Sequence, residues 1–212
     1  MKTMLVPLDG SPLSETVLPV VTALAGSGRY SVTLLSVWEV LPEEVKLVGE
    51  HHVWKLREKG MKYFRAYLRN IAETLTKQGI EVTTEVRSGH PAAEILAAGG
   101  ALNPDVVAMA SKGCGGEETY GRRGSVAEKI LHASALPVLV LGPRLMEAGL
   151  PTEVGVSSIL VPLDGSSASE AALPTAVEIA GETGAQVSLL RVVPPIPGRG
   201  PRPWRRRPDR EA

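Results

Sequence analysis

The chain has 212 residues, zero formal net charge and an ordinary apolar fraction, which together indicate a globular protein with a sizeable core. The balanced charge excludes the strongly basic class of nucleic-acid binders and gives no reason to expect a membrane partner. The single cysteine, Cys114, excludes an internal disulfide, and the N-terminal residues lack a signal-peptide pattern, so we expect a cytoplasmic location.

The first predicted elements are a strand, a helix, a second strand and a long, mainly helical stretch. Residues 4–8 form the first strand, and Ser11 caps a helix that runs to Ala25. Residues 32–37 form the second strand, and residues 41–77 carry apolar side chains at helical spacing with charged residues between them. This order predicts a β-α-β unit followed by a further crossover helix.

The alternation of strands and helices continues to residue 142. Residues 80–87 form a third strand, whose mixed pattern is typical of an exposed edge. The later elements are a helix over 91–98 capped by His90, a strand over 106–110, a helix over 125–135 and a strand over 138–141. Such alternation predicts a parallel sheet with helices on both faces, a Rossmann-like α/β fold that binds ligands outside the carboxyl ends of its strands.

A glycine-rich loop joins the fourth predicted strand to the last helix. Its glycines let the backbone come close to a ligand, and they are Gly113, Gly115, Gly116, Gly121 and Gly124. Ser125 and Glu128 form a capping box, so the loop leads into a helix N-terminus whose amides and dipole attract anions. We interpret this loop as the phosphate site of a nucleotide, although it lacks the P-loop signature.

The start of the chain is repeated further along. The sequence ILVPLDGS at 159–166 copies MLVPLDGS at 4–11, and the similarity continues through a second strand. The copy stops there, and the residues that follow are rich in proline and arginine, with no apolar period. We therefore expect a domain over 1–142, a linker over 143–157, a partial repeat over 158–193 and a disordered tail over 194–212.

Three stretches together resemble the universal stress protein family: VPLDGS at 6–11, VTLLSV at 32–37, and ASKGCGG with GSVAEKILHASALPVLVL over 110–141. The resemblance covers 1–142, and 158–193 resembles the front half of a second copy, as in a tandem form with a truncated second domain. It implies a five-stranded parallel sheet of order 3-2-1-4-5. In the members that bind ATP, it also implies a Gly-x2-Gly-x9-Gly-(Ser/Thr) signature.

The resemblance, carried over position by position, implies an adenine-nucleotide site at the strand ends. Asp9 resembles the carboxylate near the ribose and adenine, with Pro7 and Leu8 beside it, and Val37 resembles the residue that packs on the adenine. The remaining positions resemble contacts from strand four (Met109, Ala110, Lys112 and Gly113) and phosphate contacts at the helix start (Gly124, Ser125 and Val126).

The loop departs from the family signature in two respects. Ala110 stands at the first signature glycine, and ten residues, not nine, separate Gly113 from Gly124. The extra residue lies in the stretch 117–123, where two glutamates oppose anion binding and two arginines can offset them.

The resemblance implies a regulatory module that binds ATP or AMP, with or without Mg²⁺, and has no catalytic residue and no protein-held metal. Any hydrolysis or autophosphorylation would be slow and incidental. The alternative is a dimeric stress or interaction protein whose altered loop holds no nucleotide. In either case the apolar segment 137–143 is expected to form a homodimer through a sheet edge.

Overall fold

The computed structural model describes residues 1–26, 28–39, 50–113, 124–142 and 156–193. The chain forms two compact units that divide between residues 154 and 155. The predicted tail over 194–212, most of the predicted linker and loop residues 114–123 lie outside the described residues. Within the described ranges, no helix combines the length and the apolar character needed to cross a bilayer.

The first unit is built on five parallel strands. These strands are β1 (Lys2–Pro7), β2 (Tyr30–Trp38), β3 (Val82–Ser88), β4 (Val106–Ala110) and β5 (Val138–Leu141). They lie in the order β3-β2-β1-β4-β5, which confirms the predicted fold class. The strand order reverses beside β1, and in such sheets the crevice at the carboxyl ends is the usual place for a ligand.

The described helices of this unit are α1 (Pro12–Glu15), α2 (Leu18–Ala25), α3 (Glu50–Lys77), α4 (Pro91–Leu102) and α5 (Ser125–Ala133). The first nine residues of the predicted stretch 41–77 lie outside the described residues. α4 runs past the predicted end at residue 98, through Gly99 and Gly100, to Leu102. It ends where Asn103 adopts a left-handed conformation, with φ 45°.

The predicted single helix that starts at Ser11 and runs to Ala25 is wrong, because the chain forms α1 and α2 with a turn between them. Pro19 is the cause. A proline inside a helix cannot donate a hydrogen bond, and its ring clashes with the carbonyl four residues earlier, which here belongs to Glu15. α1 therefore ends at Glu15, and Pro19 occupies the first turn of α2, where a missing amide hydrogen is tolerated.

Two apolar cores lie on the two faces of the sheet, which explains the uninterrupted apolar sequence of β1. On one face, Met4 packs with Leu68 of α3 and with residues of α2. On the other face, Leu5 packs with Ile95 of α4 and Ile130 of α5. Both β1 side chains are almost completely buried, so β1 is the centre of the unit.

The second unit contains a parallel pair of strands with two helices between them. Its elements are β6 (Ser158–Leu163), α6 (Ser167–Glu170), α7 (Leu173–Thr183) and β7 (Gln186–Arg191). The turn after β6 repeats the turn after β1: Asp164 accepts a 2.8 Å hydrogen bond from the amide of Ser166, and Gly165 has φ 90°. The local geometry of the copied sequence is therefore copied as well.

Candidate functional site

A cavity of about 640 Å³ opens at the carboxyl ends of β1, β2 and β4. All eleven residues predicted to contact a nucleotide line this cavity: Pro7, Leu8, Asp9, Val37, Met109, Ala110, Lys112, Gly113, Gly124, Ser125 and Val126. The fold thus brings together four segments that are far apart in sequence. Their role as nucleotide contacts remains a prediction.

The turn from β1 to α1 fixes the carboxylate of Asp9 at the cavity wall. Asp9 Oδ1 accepts hydrogen bonds from the Ser11 amide at 2.9 Å and from the Ser11 hydroxyl at 2.6 Å. The Ser11 hydroxyl in turn accepts from the amide of Ser14 at 3.2 Å, which caps α1. Gly10, with φ 83°, makes this tight reversal possible.

Asp9 Oδ2 lies against the backbone of Gly113, where the chain leaves β4 and enters the glycine-rich loop. A Cβ atom at position 113 would collide with this oxygen. Glycine is therefore required at position 113 for the carboxylate to occupy its place, a reason independent of any phosphate contact.

The two described ends of the glycine-rich loop are held close together. The amide of Gly124 donates to the carbonyl of Ser111 at 2.7 Å, and the amide of Ser111 donates to the carbonyl of Leu141 at 2.8 Å. A Cβ atom at Gly124 would lie 3.3 Å from the Ser111 oxygen, so position 124 also favours glycine. Residues 114–123 include the two glutamates expected to oppose anion binding and the two arginines expected to offset them. These residues lie outside the described residues.

The predicted capping role of Ser125 is wrong. Gly124 is the N-cap of α5, in an extended conformation with φ −64° and ψ 150°, and no side chain of the described residues caps the helix. The hydrogen bond from the Gly124 amide to the Ser111 carbonyl fixes the N-cap of the helix one residue earlier than predicted. Ser125 is therefore the first helical residue, and its side chain is exposed. The first residues of α5 line the cavity, and none of their amides receives a side-chain cap from the part of the chain that the structure describes, which suits an anion.

The predicted cap at His90 is also not made by its side chain. His90 precedes α4 in the N-cap position, but its ring makes no capping bond. Its Nδ1 atom lies 2.7 Å from Oε1 of Glu39 instead. Since Glu39 follows β2 and lines the cavity, this contact joins the ends of β2 and β3 beside it.

The sequence also places Trp38, which follows Val37 at the end of β2, among the residues expected to face a ligand, and Trp38 lines the cavity. Its indole packs on Gly60 of α3 so closely that a Cβ there would collide with the ring. The sequence prediction did not include Phe64 and Ile95, which reach the cavity from α3 and α4. These two helical residues depend on tertiary packing that their spacing in the sequence does not reveal.

Two buried hydroxyls beside this region lack a hydrogen-bond partner among the described residues, Ser111 Oγ and Tyr67 Oη. Ser111 lines the cavity and is 2% exposed. Burial, together with the nearby Glu15 carboxylate, raises the pKa of Tyr67 well above its ordinary value. The Tyr67 hydroxyl therefore remains protonated across the physiological range.

The sequence matches the model of the Universal stress protein family over residues 1–142 and 155–203. It is 28% identical over 144 residues to universal stress protein YxiE of Bacillus subtilis (strain 168), an alignment that covers 65% of this chain and 97% of YxiE. Both results agree with the resemblance inferred from the motifs.

Solved structures give the same result for the fold. The structure of hypothetical protein MJ0577 is 29% identical, with a TM-score of 0.59 over 66% of this chain and 95% of that one. A universal stress protein from Archaeoglobus fulgidus DSM 4304 has a TM-score of 0.69 over 91% of this chain and 67% of its own, at 24% identity. The second alignment is wide enough to include both units.

Proposed function

Because this chain belongs to the universal stress protein family, we propose that it is a cytoplasmic regulatory module whose first unit binds ATP or AMP. One observation carries the proposal: eleven residues chosen from sequence alone line a single cavity at the point where the strand order reverses. The cavity volume lies within the range of small-ligand sites.

The two ends of the cavity suit the two ends of a nucleotide. Val37, Trp38 and Ile95 provide an apolar wall for the adenine ring. The N-terminal amides of α5 and the nearby Lys112 provide hydrogen-bond donors and a positive charge for the phosphates, with or without Mg²⁺. We expect Asp9, which lines the same cavity, to accept hydrogen bonds from the ribose hydroxyls.

The proposal is tested by binding of a fluorescent ATP analogue, followed by competition with unlabelled ATP and AMP. Asp9→Ala should weaken binding by about tenfold or more, because a charge-assisted hydrogen bond is worth roughly 1.5–3 kcal/mol. Asp164→Ala is the matched control, since it removes the same carboxylate from the same turn in the second unit. Equal affinities of the two variants would contradict the proposed site.

The altered loop supports the alternative function, in which the chain acts by association and holds no nucleotide. Ala110 at the first signature position and the extra loop residue are the observations in its favour. Absence of binding at millimolar ATP, together with a stable dimer, would favour this alternative over the proposed site.

A homodimer through residues 137–143 is part of the proposal under either function. β5 lies at a sheet edge, and the carbonyls of Pro137 and Leu141 bond to β4. The backbone groups of Val138 and Val140 therefore point away from β4, toward a second chain.

A further inference from the structure

Among the described residues, the opposite edge of the sheet, at β3, also carries backbone groups that no neighbouring strand pairs. The amide of Val32 donates to the carbonyl of Glu81 at 2.8 Å, and the amide of Gly89 donates to the carbonyl of Trp38 at 3.1 Å. Because backbone direction alternates along a strand, odd-numbered residues of this stretch face β2 and even-numbered ones face outward. Val82, Thr84 and Val86 are three of the even-numbered residues of β3 whose amides and carbonyls lie on this edge.

The side chains of the same three residues line a groove of about 680 Å³ beside α3, which we call the α3–β3 groove. Its floor is apolar, with Val82 and Val86 packed against the core beneath them. β3 thus presents both backbone hydrogen-bonding groups and an apolar surface to a segment that would lie beside it.

The wall of the α3–β3 groove is predominantly cationic. Arg65, Arg69 and Lys77 line it from α3, together with a single acid, Glu73. The three cations are exposed. No side-chain hydrogen bond or ion pair engages them within the described part of the chain.

The other face of β3 is different, because its charges are neutralised internally. Arg87 bonds to Glu85 at 2.7 Å and lies 3.8 Å from Glu94. On the face that carries the groove, by contrast, three cations line the wall with one acid.

We propose that the α3–β3 groove binds an extended acidic peptide segment, which adds a strand to β3. Backbone pairing with Val82, Thr84 and Val86 would hold the segment, as in other cases of strand addition. Acidic side chains on its α3 side would meet the arginines and the lysine, and this charge complementarity is what selects an acidic partner. The groove shares no lining residue with the nucleotide cavity, so the two proposals can fail separately.

The test is fluorescence anisotropy of a labelled, end-blocked (Glu-Val)₄ peptide with the full chain, in low salt and in physiological salt. Arg69→Glu should weaken binding by about tenfold, and added salt should weaken the wild-type interaction. Arg57→Glu is the matched control, because Arg57 is an exposed arginine of the same helix that does not line the groove. A (Lys-Val)₄ peptide should not bind.

Thr84→Pro distinguishes strand addition from simple charge attraction. The substitution removes an outward amide and leaves the pairing with β2 intact, since proline is accepted at an edge strand when its nitrogen faces solvent. Binding should fall by about fivefold or more, with an unchanged circular dichroism spectrum. Unchanged peptide affinity in Thr84→Pro would overturn the proposal, and so would binding of oligo(dT)₁₂ as tight as that of the acidic peptide.

Discussion

At the scale of single residues, the glycines of the first unit differ in how much space a side chain would have at their position. The neighbouring sequence does not reveal this difference. Gly113 makes room for the Asp9 carboxylate, whereas a Cβ at Gly100 on the surface of α4 would meet nothing within 4 Å. The same substitution should therefore have different consequences at the two positions.

Gly113→Ala should weaken nucleotide binding by about tenfold, because the added methyl displaces the Asp9 side chain from the cavity wall. Gly100→Ala should leave affinity unchanged and raise stability by about 0.5–1 kcal/mol, the usual gain in a helix interior. Titration calorimetry and urea denaturation measure the two effects. Equal affinities would show that the contact between Gly113 and Asp9 is irrelevant to binding.

The second copy of the turn gives a prediction about pH. The hydroxyl and amide of Ser166 lower the pKa of the Asp164 carboxyl to about 2. A carboxyl whose pKa is lowered on folding stabilises the fold above its unfolded pKa, and this contribution is lost as the pH falls through about 2. Carboxyl NMR titration of Ser166→Ala should move the Asp164 midpoint upward, and an unmoved midpoint would exclude Ser166 as the cause.

At the scale of elements, the contact between α3 and the end of β2 positions one wall of the cavity. The indole of Trp38 lies on Gly60, where α3 has no side chain. Replacing glycine by alanine in a helix interior ordinarily raises stability. At position 60, helix propensity therefore favours alanine, whereas packing against Trp38 favours glycine.

Gly60→Ala should destabilise the fold by about 1–3 kcal/mol despite the better helix propensity, because the methyl overlaps the indole and forces it to shift. Urea denaturation followed by tryptophan fluorescence measures the stability. A stability gain like that expected for Gly100→Ala would contradict the packing described for α3 and β2.

Proline should disrupt the proposed dimer when it is introduced into β5, and should leave it intact when it is introduced into β3. Val140→Pro removes an outward amide of β5 and should dissociate the proposed dimer, because pairing across that edge loses a hydrogen bond and meets the ring. Thr84→Pro at the other edge is the control and should leave the molecular mass unchanged. Light scattering that reports the same mass for wild type and Val140→Pro would refute a dimer through β5.

At the scale of the whole molecule, the two units bury nearly the same sequence very differently. Leu5 in β1 is 0% exposed, and its counterpart Leu160 in β6 is 61% exposed. Leu34 and Leu189 show the same contrast, at 0% and 61%. Amides of β6 should therefore exchange with solvent at least about a hundredfold faster than those of β1. Hydrogen exchange with mass spectrometry would contradict this by finding equal protection.

Much of the first unit could be predicted from the sequence, because the signals were local. The apolar period gave the strands, and the motif after β1 led to Asp9. The errors at Pro19 and Ser125 arose where one backbone contact decides between neighbouring residues. Phe64 reaches the cavity through tertiary packing, which the spacing within α3 does not encode.

The central claim is tested most directly by calorimetric titration of nucleotide-free protein with ATP, with and without Mg²⁺. The account predicts saturable binding of one nucleotide per chain. The second unit provides Asp164 as a counterpart of Asp9, but its described residues contain no equivalent of β4 or of the α5 N-terminus. No binding at millimolar ATP, or binding of equal strength after Asp9→Ala, would contradict the account.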